Sequence, residues 1–401
     1  MKQSLLTATA VVLLWALTAA RLARWRISAP IVMVTAGLAI GFSTQNVLGS
    51  GLNTEIAQHV AEIMLALLLF VDATALGSGY LGRDGRTVAR LLFIALPLSL
   101  LAIMGIGLLV LPGLSWAVVL LIACIITPTD FAPTASVVRD FRIPERVRHI
   151  LNVESGYNDG IIAPVFVFAL TLAGDRSHAN SPEQALKTAV PAAILAVVTG
   201  IIVGAVTAMA MNKATEHEWA SDQSLRIATV AVPLLTYSVA VPIGGNGFVA
   251  AFVCGIAYKA TRHHHPGEAE LGLVEDVTSL SGMALWFVFG SATVLVLQFG
   301  ITWGMVVLAL AALTIARAAP VLVTLLGTDL RWRDRFTVAF LAPRGVASIV
   351  FGLLAFNSLD GDDADIALIV TALTVLGSVL AHGIAATAWT HRKAPQPSET
   401  A

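Results

Sequence analysis

Asp159 stands in the run Asn152-Val153-Glu154-Ser155-Gly156-Tyr157-Asn158-Asp159-Gly160, about eleven residues into a long apolar stretch that begins near Arg148. A carboxylate at that depth of a bilayer loses its hydration at high cost, so an acid placed there serves an ion or a proton. Two more acids reach the same level when counted from the ends of their own apolar runs. Asp72 is about twelve residues in, and Asp130 lies about fifteen residues beyond Ser115. Eleven residues of helix span roughly 16 Å, about half of a ~30 Å hydrocarbon core. Ser155 precedes Asp159 by one helical turn and projects from the same face. Carboxylates, a hydroxyl and backbone carbonyls freed by a broken helix suit a hard cation such as Na+ or K+.

Glu154 and Asn158 form the adjacent face of the same helix. Counting from Arg148, Glu154 is roughly 9 Å deep, and Arg317, entering from the opposite side near Ile301, has travelled roughly 24 Å. The two reach one level and are expected to pair. Such a pair adds little net stability, but losing one partner strands a buried charge. Asp159 is then left free to exchange its occupant.

Elements of one kind position these residues. The chain of 401 residues is 57% hydrophobic and 12% charged, half the charge of an ordinary soluble domain, which is about 25%. Apolar runs recur along its whole length, which describes an all-α polytopic membrane protein. Thirteen runs are candidate spans: about 4–20, 29–45, 56–77, 89–111, 115–138, 148–174, 188–211, 225–242, 246–260, 277–297, 301–326, 336–356 and 364–389, of which the ninth is short and the boundary between the eighth and ninth is open. The first is read as a retained span rather than a cleaved signal peptide, because Arg21, Arg24 and Arg26 follow it without a cleavage site. Of the 24 Lys and Arg residues, 19 fall on the odd-numbered connections and the tail. The positive-inside rule then places the N-terminus outside and the C-terminus in the cytoplasm, at the cell membrane.

Thirteen spans divide into a first six-helix repeat (1–174), a linker with span 7 (175–224), a second, inverted six-helix repeat (225–390) and a short cytoplasmic tail (391–401). Transporters built from inverted repeats place discontinuous helices at the midplane. Here span 5 carries Thr127-Pro128-Thr129-Asp130 with Pro133 behind it, and span 12 carries Ala342-Pro343-Arg344-Gly345. Each proline removes a donor and obstructs the preceding turn. Two crossing breaks expose positive and negative half-helix ends, which Asp130 and Arg344 are expected to offset respectively.

Other functions find no support in the chain. It has no nucleotide-binding loop, metal-ligand cluster, soluble catalytic domain or nucleic-acid signature, and Ser155 lacks a neighbouring histidine base. No enzyme activity and no cofactor are expected. His263-His264-His265 read as a solvated loop, with metal binding or pH sensing as the alternative. Cys124 and Cys254 lie in apolar runs and read as free thiols.

The Thr-Pro-Thr-Asp and Glu154-to-Gly160 strings resemble the paired signatures of the cation:proton antiporter-1 family, the NhaP and NHE type. Asn246-Gly247-Phe248-Val249-Ala250-Ala251-Phe252, Ile315-Ala316-Arg317 and Pro343-Arg344-Gly345 extend the resemblance over nearly the whole chain. It implies thirteen spans, a homodimer, and a core domain that moves against a dimerisation domain. It implies cation coordination by Asp159, Asp130, Ser155, Thr129 and, less securely, Asp72, supported by Asn158, Glu154, Arg317 and Arg344. The Asn-Asp pair implies electroneutral one-for-one exchange of Na+ for H+. K+ and Li+ remain open as substrates, as do a channel-like pathway without proton coupling and a sensor that has lost transport. Ala342 stands where the family usually has Gly, and Tyr157 where Leu is common.

Overall fold

Apolar runs in lipid have no water to satisfy their backbone groups, so they close their hydrogen bonds internally as helices. The computed structural model describes residues 2–25, 27–43, 55–75, 84–131, 143–174, 182–263, 268–296 and 300–391. Arg26, Arg83, Pro133, Arg139, Arg142, Arg176, His264, His265, Arg392 and Lys393 lie outside the described residues. Within them all regular structure is helical.

The order is α1 (Lys2–Arg24), α2 (Ala29–Ser43), α3 (Glu55–Ala75), α4 (Gly85–Val110, with a π turn at Leu91–Ala95), α5 (Trp116–Ile126), α6 (Glu145–Gly174), α7 (Pro182–Glu216) and α8 (Asp222–Ala240). After these come α9 (Gly247–Thr261), α10 (Glu268–Val296), α11 (Trp303–Leu313), α12 (Ile315–Thr324), α13 (Trp332–Phe340), α14 (Val346–Ser358) and α15 (Gly361–His391). Among the described residues, seven helical stretches are long and apolar enough to cross a membrane, α11 and α12 together making one of them, and α2, α5, α9 and α14 are shorter apolar helices.

Local chemistry sets the ends. Ser115, Ser221 and Asn246 accept hydrogen bonds from Val118, Ser224 and Val249 backbone N–H groups, capping α5, α8 and α9. Gly113, at φ 110°, makes the turn between α4 and α5, a conformation that only glycine adopts cheaply. Threonines inside apolar helices return their hydroxyls to the carbonyl four residues back, as Thr127, Thr207 and Thr236 do, and so carry no unmet donor.

The outer faces of α1 and α7 expose leucines, isoleucines and valines, as a lipid-facing surface requires. Trp25, Trp116, Trp219, Trp303 and Trp332 are exposed at or beside helix ends, the level at which a bilayer places tryptophan. Inside, Phe166 of α6 stacks on Phe351 of α14 with ring centroids 4.3 Å apart. Cys124 and Cys254 are buried free thiols.

Three helix interruptions shape the interior. In the expected span 115–138 the helix α5 ends at Ile126 and the chain runs non-helical through 127–131; residues 132–138 lie outside the described residues. Pro128 disfavours helix at Thr127 and cannot donate to the preceding turn. The expected span 336–356 is two helices, α13 and α14, separated by the unwound residues 341–345. The expected span 301–326 is also interrupted, at Thr314 (φ −125°, ψ −100°), where α11 ends and α12 begins. Neither Pro nor Gly marks that third break in the sequence.

Candidate functional site

A break in a buried helix leaves N–H and C=O groups without intrahelical partners, and each must be met elsewhere. At the 127–131 and 341–345 breaks, the two segments meet each other. Asp130 N–H donates to the Pro343 carbonyl at 2.9 Å, and Val346 N–H donates to Asp130 Oδ2 at 3.0 Å. The Asp130 carboxylate therefore lies on the first turn of α14, where the helix presents its positive end. Gly345 makes this approach possible, since a Cβ there would stand 1.9 Å from Asp130 Oδ2.

Arg344 takes the opposite ends. Its side chain is wholly buried, and Nε donates to Ile126 O at 2.7 Å, Nη1 to Ala342 O at 2.9 Å and Nη2 to Ala312 O at 3.0 Å. Ile126 closes α5 and Ala312 is one residue from the end of α11, so one guanidinium covers the negative ends of two helices. The unheralded break at Thr314 is thus what exposes Ala312 O to Arg344.

Asp159, Asn158, Ser155 and Glu154 come from the middle of α6, which passes beside the 127–131 segment. Ser155 Oγ donates to Thr129 O at 2.8 Å, and Asn158 Nδ2 donates to Thr129 O at 3.1 Å and to Thr129 Oγ1 at 2.5 Å. Glu154 and Arg317 meet in a two-pronged ion pair, Nη1 to Oε1 at 2.7 Å and Nη2 to Oε2 at 2.8 Å, with both side chains buried. Asp159 is 2% exposed, and its Oδ1 has no hydrogen-bond partner among the described residues; nor has the neighbouring Asn158 Oδ1. Asp72 (α3), Asp130 and Arg344 lie within electrostatic reach of Asp159. Asp72 is only partly buried. On the far side, Gly160 lets the Phe252 ring of α9 close over α6, with a would-be Cβ 2.5 Å from ring atoms.

All the acids and bases singled out in the sequence are therefore placed around the breaks, with Glu154 committed to Arg317 and Asp159 not committed. His263 is elsewhere: it is exposed, with Nδ1 3.5 Å from Glu216 Oε1. The structure adds two residues that spacing arguments passed over. Ser378 Oγ accepts the Arg344 backbone N–H at 2.7 Å, and His382 Nε2 lies 3.3 Å from the Ala342 backbone nitrogen. The available signal was a Ser and a His one turn apart in a span whose other polar side chains are Asp365 and threonines. A separate buried network, Arg262 with Asn212 and Glu270 and Tyr258 with Glu270, ties the ends of α7, α9 and α10 together.

The chain as a whole is similar to known proteins. The family described as "Sodium/hydrogen exchanger, transmembrane" matches residues 8–388. The chain is 22% identical over 354 residues to a Na(+)/H(+) antiporter of Schizosaccharomyces pombe, covering 81% of this chain and 75% of that one. It is 25% identical over 286 residues to the K(+)/H(+) antiporter NhaP2 of Shewanella baltica, covering 68% of this chain and 47% of that one. It is 24% identical to a Na(+)/H(+) antiporter of Saccharomyces cerevisiae, over 80% of this chain but 34% of the relative. The chain thus spans three quarters of the first relative and less than half of the other two. In fold it is similar to the sodium proton antiporter MjNhaP1 of Methanocaldococcus jannaschii, with a TM-score of 0.78, 20% identity, and coverage of 96% of this chain and 99% of the other.

Proposed function

Since the chain belongs to the sodium/hydrogen exchanger family, we propose that it exchanges a monovalent cation, Na+ foremost, for H+ one for one at the carboxylate of Asp159. The observation that carries this reading is the unequal commitment of two buried acids on one helix. Glu154 has both oxygens against Arg317, whereas Asp159 keeps a buried oxygen without a partner among the described residues. A buried carboxylate with no fixed counter-charge is costly until a proton or a metal cation neutralises it. Either occupant suffices, and the site holds one at a time. The loaded site crosses; the empty, charged site crosses slowly because its charge is uncompensated in a low-dielectric surrounding. Exchange of one cation for one proton moves no net charge.

Asp130, Ser155, Thr129 and Asp72 complete the cation's oxygen ligands in this reading, and Asn158, Glu154, Arg317 and Arg344 hold them in place. The Asn158 amide, turned by its hydrogen bonds to Thr129, keeps a buried Oδ1 without a partner among the described residues, and this reading counts it as a further oxygen. The chain is read as thirteen spans in two inverted six-helix repeats (1–174 and 225–390) around a linker span (175–224), with a short tail at 391–401. The N-terminus lies outside the cell membrane and the C-terminus in the cytoplasm. A core carrying the breaks moves against a dimerisation domain in a homodimer.

The experiment is a pH-dye assay in proteoliposomes with Na+, Li+, K+ and Rb+ in turn. Wild type alkalinises or acidifies the lumen on a cation step, and Asp159→Asn, still eluting as a folded species, does not. Persistent cation-driven pH change in Asp159→Asn would remove Asp159 from the role. Exchange of K+ for H+ is the second reading, favoured by the K(+)/H(+) antiporter among the relatives; a larger K+ than Na+ response would select it. Cation flux without proton movement would instead mark a channel-like pathway.

A further inference from the structure

The unwound segment 341–345 needs its backbone donors met, and its neighbours do not meet them all. Asp130 takes the Val346 N–H, and Pro343 has none to offer. The Arg344 N–H turns instead to α15, and the Ala342 N–H is shared between the Phe340 carbonyl at 3.1 Å and α15, where Ser378 and His382 stand one turn apart, 0% and 7% exposed. Arg344 N–H donates to Ser378 Oγ at 2.7 Å, and Ala342 N–H points at His382 Nε2 at 3.3 Å. We infer that Ser378 and His382 are positioning residues for exchange: a clasp on the unwound chain that keeps Arg344 over the ends of α5 and α11 and keeps Pro343 against Asp130. The inference rests on the exchange reading above for its effect on transport, not for its geometry.

The imidazole works in one form only. Its Nδ1 lies 2.9 Å from the Ser378 carbonyl oxygen, which only accepts, and 3.3 Å from Ser378 Oγ; the shorter contact is met only when Nδ1 carries the hydrogen. In the neutral ring Nε2 is then an acceptor and takes the Ala342 N–H. The Phe340 carbonyl oxygen lies at the same 3.3 Å from Nε2. A protonated ring has a donor at Nε2, so it loses Ala342 N–H and bonds Phe340 O. It also sets a second cation against Arg344, the charged side chain that faces it, behind which lie Arg317, Glu154 and Asp159. Protonation of His382 therefore loosens the clasp at the segment that seats Asp130.

Two proton effects then separate by kinetics. Protons that compete with cation at Asp159 change the apparent KM for cation and are overcome by saturating cation. Protons on His382 lower the maximum rate, and no cation concentration restores it.

The test uses the full-length chain in proteoliposomes, with the maximum exchange rate and KM for Na+ measured across about pH 5 to 8, where a histidine titrates. His382→Ala is expected to lose about threefold to tenfold in maximum rate, as the Ala342 N–H loses its tie to α15 and keeps only Phe340 O, with KM changed less than about twofold. His382→Gln, whose amide oxygen takes the place of Nε2, is expected to restore the rate and abolish the acid-side fall in maximum rate, while the pH dependence of KM stays. Ser378→Thr keeps the rate and Ser378→Ala lowers it. Wild-type rates and wild-type pH profiles in both His382→Ala and His382→Gln would overturn the clasp. Should His382→Ala not fold, 15N NMR of histidine-labelled wild type decides: neutral His382 must carry its hydrogen on Nδ1, and a hydrogen on Nε2 overturns the inference. Wild type that moves no protons in response to Na+ or K+ defeats the exchange reading instead, and the NMR measurement still judges the clasp.

Discussion

Where α2 meets α10, and where α7 meets α9, backbone lies on backbone; where 127–131 meets 341–345, charged side chains and hydrogen bonds fill the gap. In the first region a Cβ on Gly37 would stand 2.0 Å from Phe287 O, and one on Gly290 2.3 Å from Val34 O. Gly200 and Gly204 of α7 come as close to α9, each would-be Cβ 2.5 Å from a carbonyl oxygen, Ala250 and Cys254 respectively. Small residues let helices approach until dispersion holds them. Nothing in those contacts titrates or binds cation, so they are indifferent to the state of a transport cycle. In the second region Asp130, Glu154, Arg317 and Arg344 are buried or nearly so, and each is balanced by a specific partner or helix end. A change of one charge there is felt by all. The first region is a frame; the second is the part that responds.

The largest effect expected from this contrast is at the ion pair. Arg317→Met leaves Glu154 buried and unpaired, at a cost of about 3–5 kcal/mol. The double variant Glu154→Gln/Arg317→Met removes both charges and regains most of the loss. Thermal unfolding followed in detergent reads both. A single variant as stable as wild type would mean that water reaches Glu154 and that the responsive region is wetter than its burial indicates.

Glycine exchanges sharpen the comparison next. Gly37→Ala meets a fixed carbonyl in the frame and is expected to cost about 1–3 kcal/mol by overpacking, with KM for cation unchanged. Gly345→Ala meets the Asp130 carboxylate, which moves aside, so the maximum exchange rate falls by about tenfold or more while the stability loss stays within about 1–3 kcal/mol. Equal ratios of lost rate to lost stability in the two variants would erase the distinction between frame and responsive region.

How far the sequence reaches differs between the same two regions. The helices were legible, because long apolar runs in lipid have only one backbone solution. The two proline breaks were legible from Pro128 and Pro343. Depth counting brought Glu154 and Arg317 to one level, and they pair. The break at Thr314 was not legible: no Pro or Gly stands there, the β-branched pair Thr314-Ile315 disfavours helix only slightly, and the interruption is met by Arg344 from about thirty residues away in the chain. Ser378 and His382 were passed over for the same reason. Their partners are backbone groups of a segment unwound by tertiary contacts, and hydropathy carries no trace of that. The glycine contacts of the frame were read only as ordinary small-residue packing, since sequence does not say which glycine touches which carbonyl.

A milder perturbation probes how the α6 face is seated. Ser155→Ala deletes one hydrogen bond to Thr129 O and a hydroxyl next to Asp159. Loss of about 1 kcal/mol of interaction raises the apparent KM for Na+ by about fivefold, with the maximum rate close to wild type. A fall in maximum rate with unchanged KM would place Ser155 among the residues that seat the break and outside the cation's ligands.

The smallest effect is expected at the rim, away from both regions. Arg146, at the start of α6, donates through Nε to Asp84 Oδ1 at 2.7 Å and through Nη1 and Nη2 to the Asp329 carboxylate at 3.0 and 2.9 Å. These bonds tie α6 to the turn before α4 and to the connection between α12 and α13. The Arg146 hydrogen bonds hold the Asp329 carboxyl below its ordinary range. A carboxyl depressed in the folded state contributes stability that is present above the unfolded value, about pH 3.9, and disappears as pH falls through the folded one. Asp329 is fully exposed, so solvent and salt screen the contribution. Asp329→Asn is expected to unfold at a slightly lower temperature than wild type at neutral pH and low salt, with exchange unchanged. The gap should narrow in high salt, begin to shrink as pH falls below about 4, and close only below the folded-state value. A gap that survives acid would show the connection held by the shape of residue 329 and not by its charge, and would make the rim part of the frame.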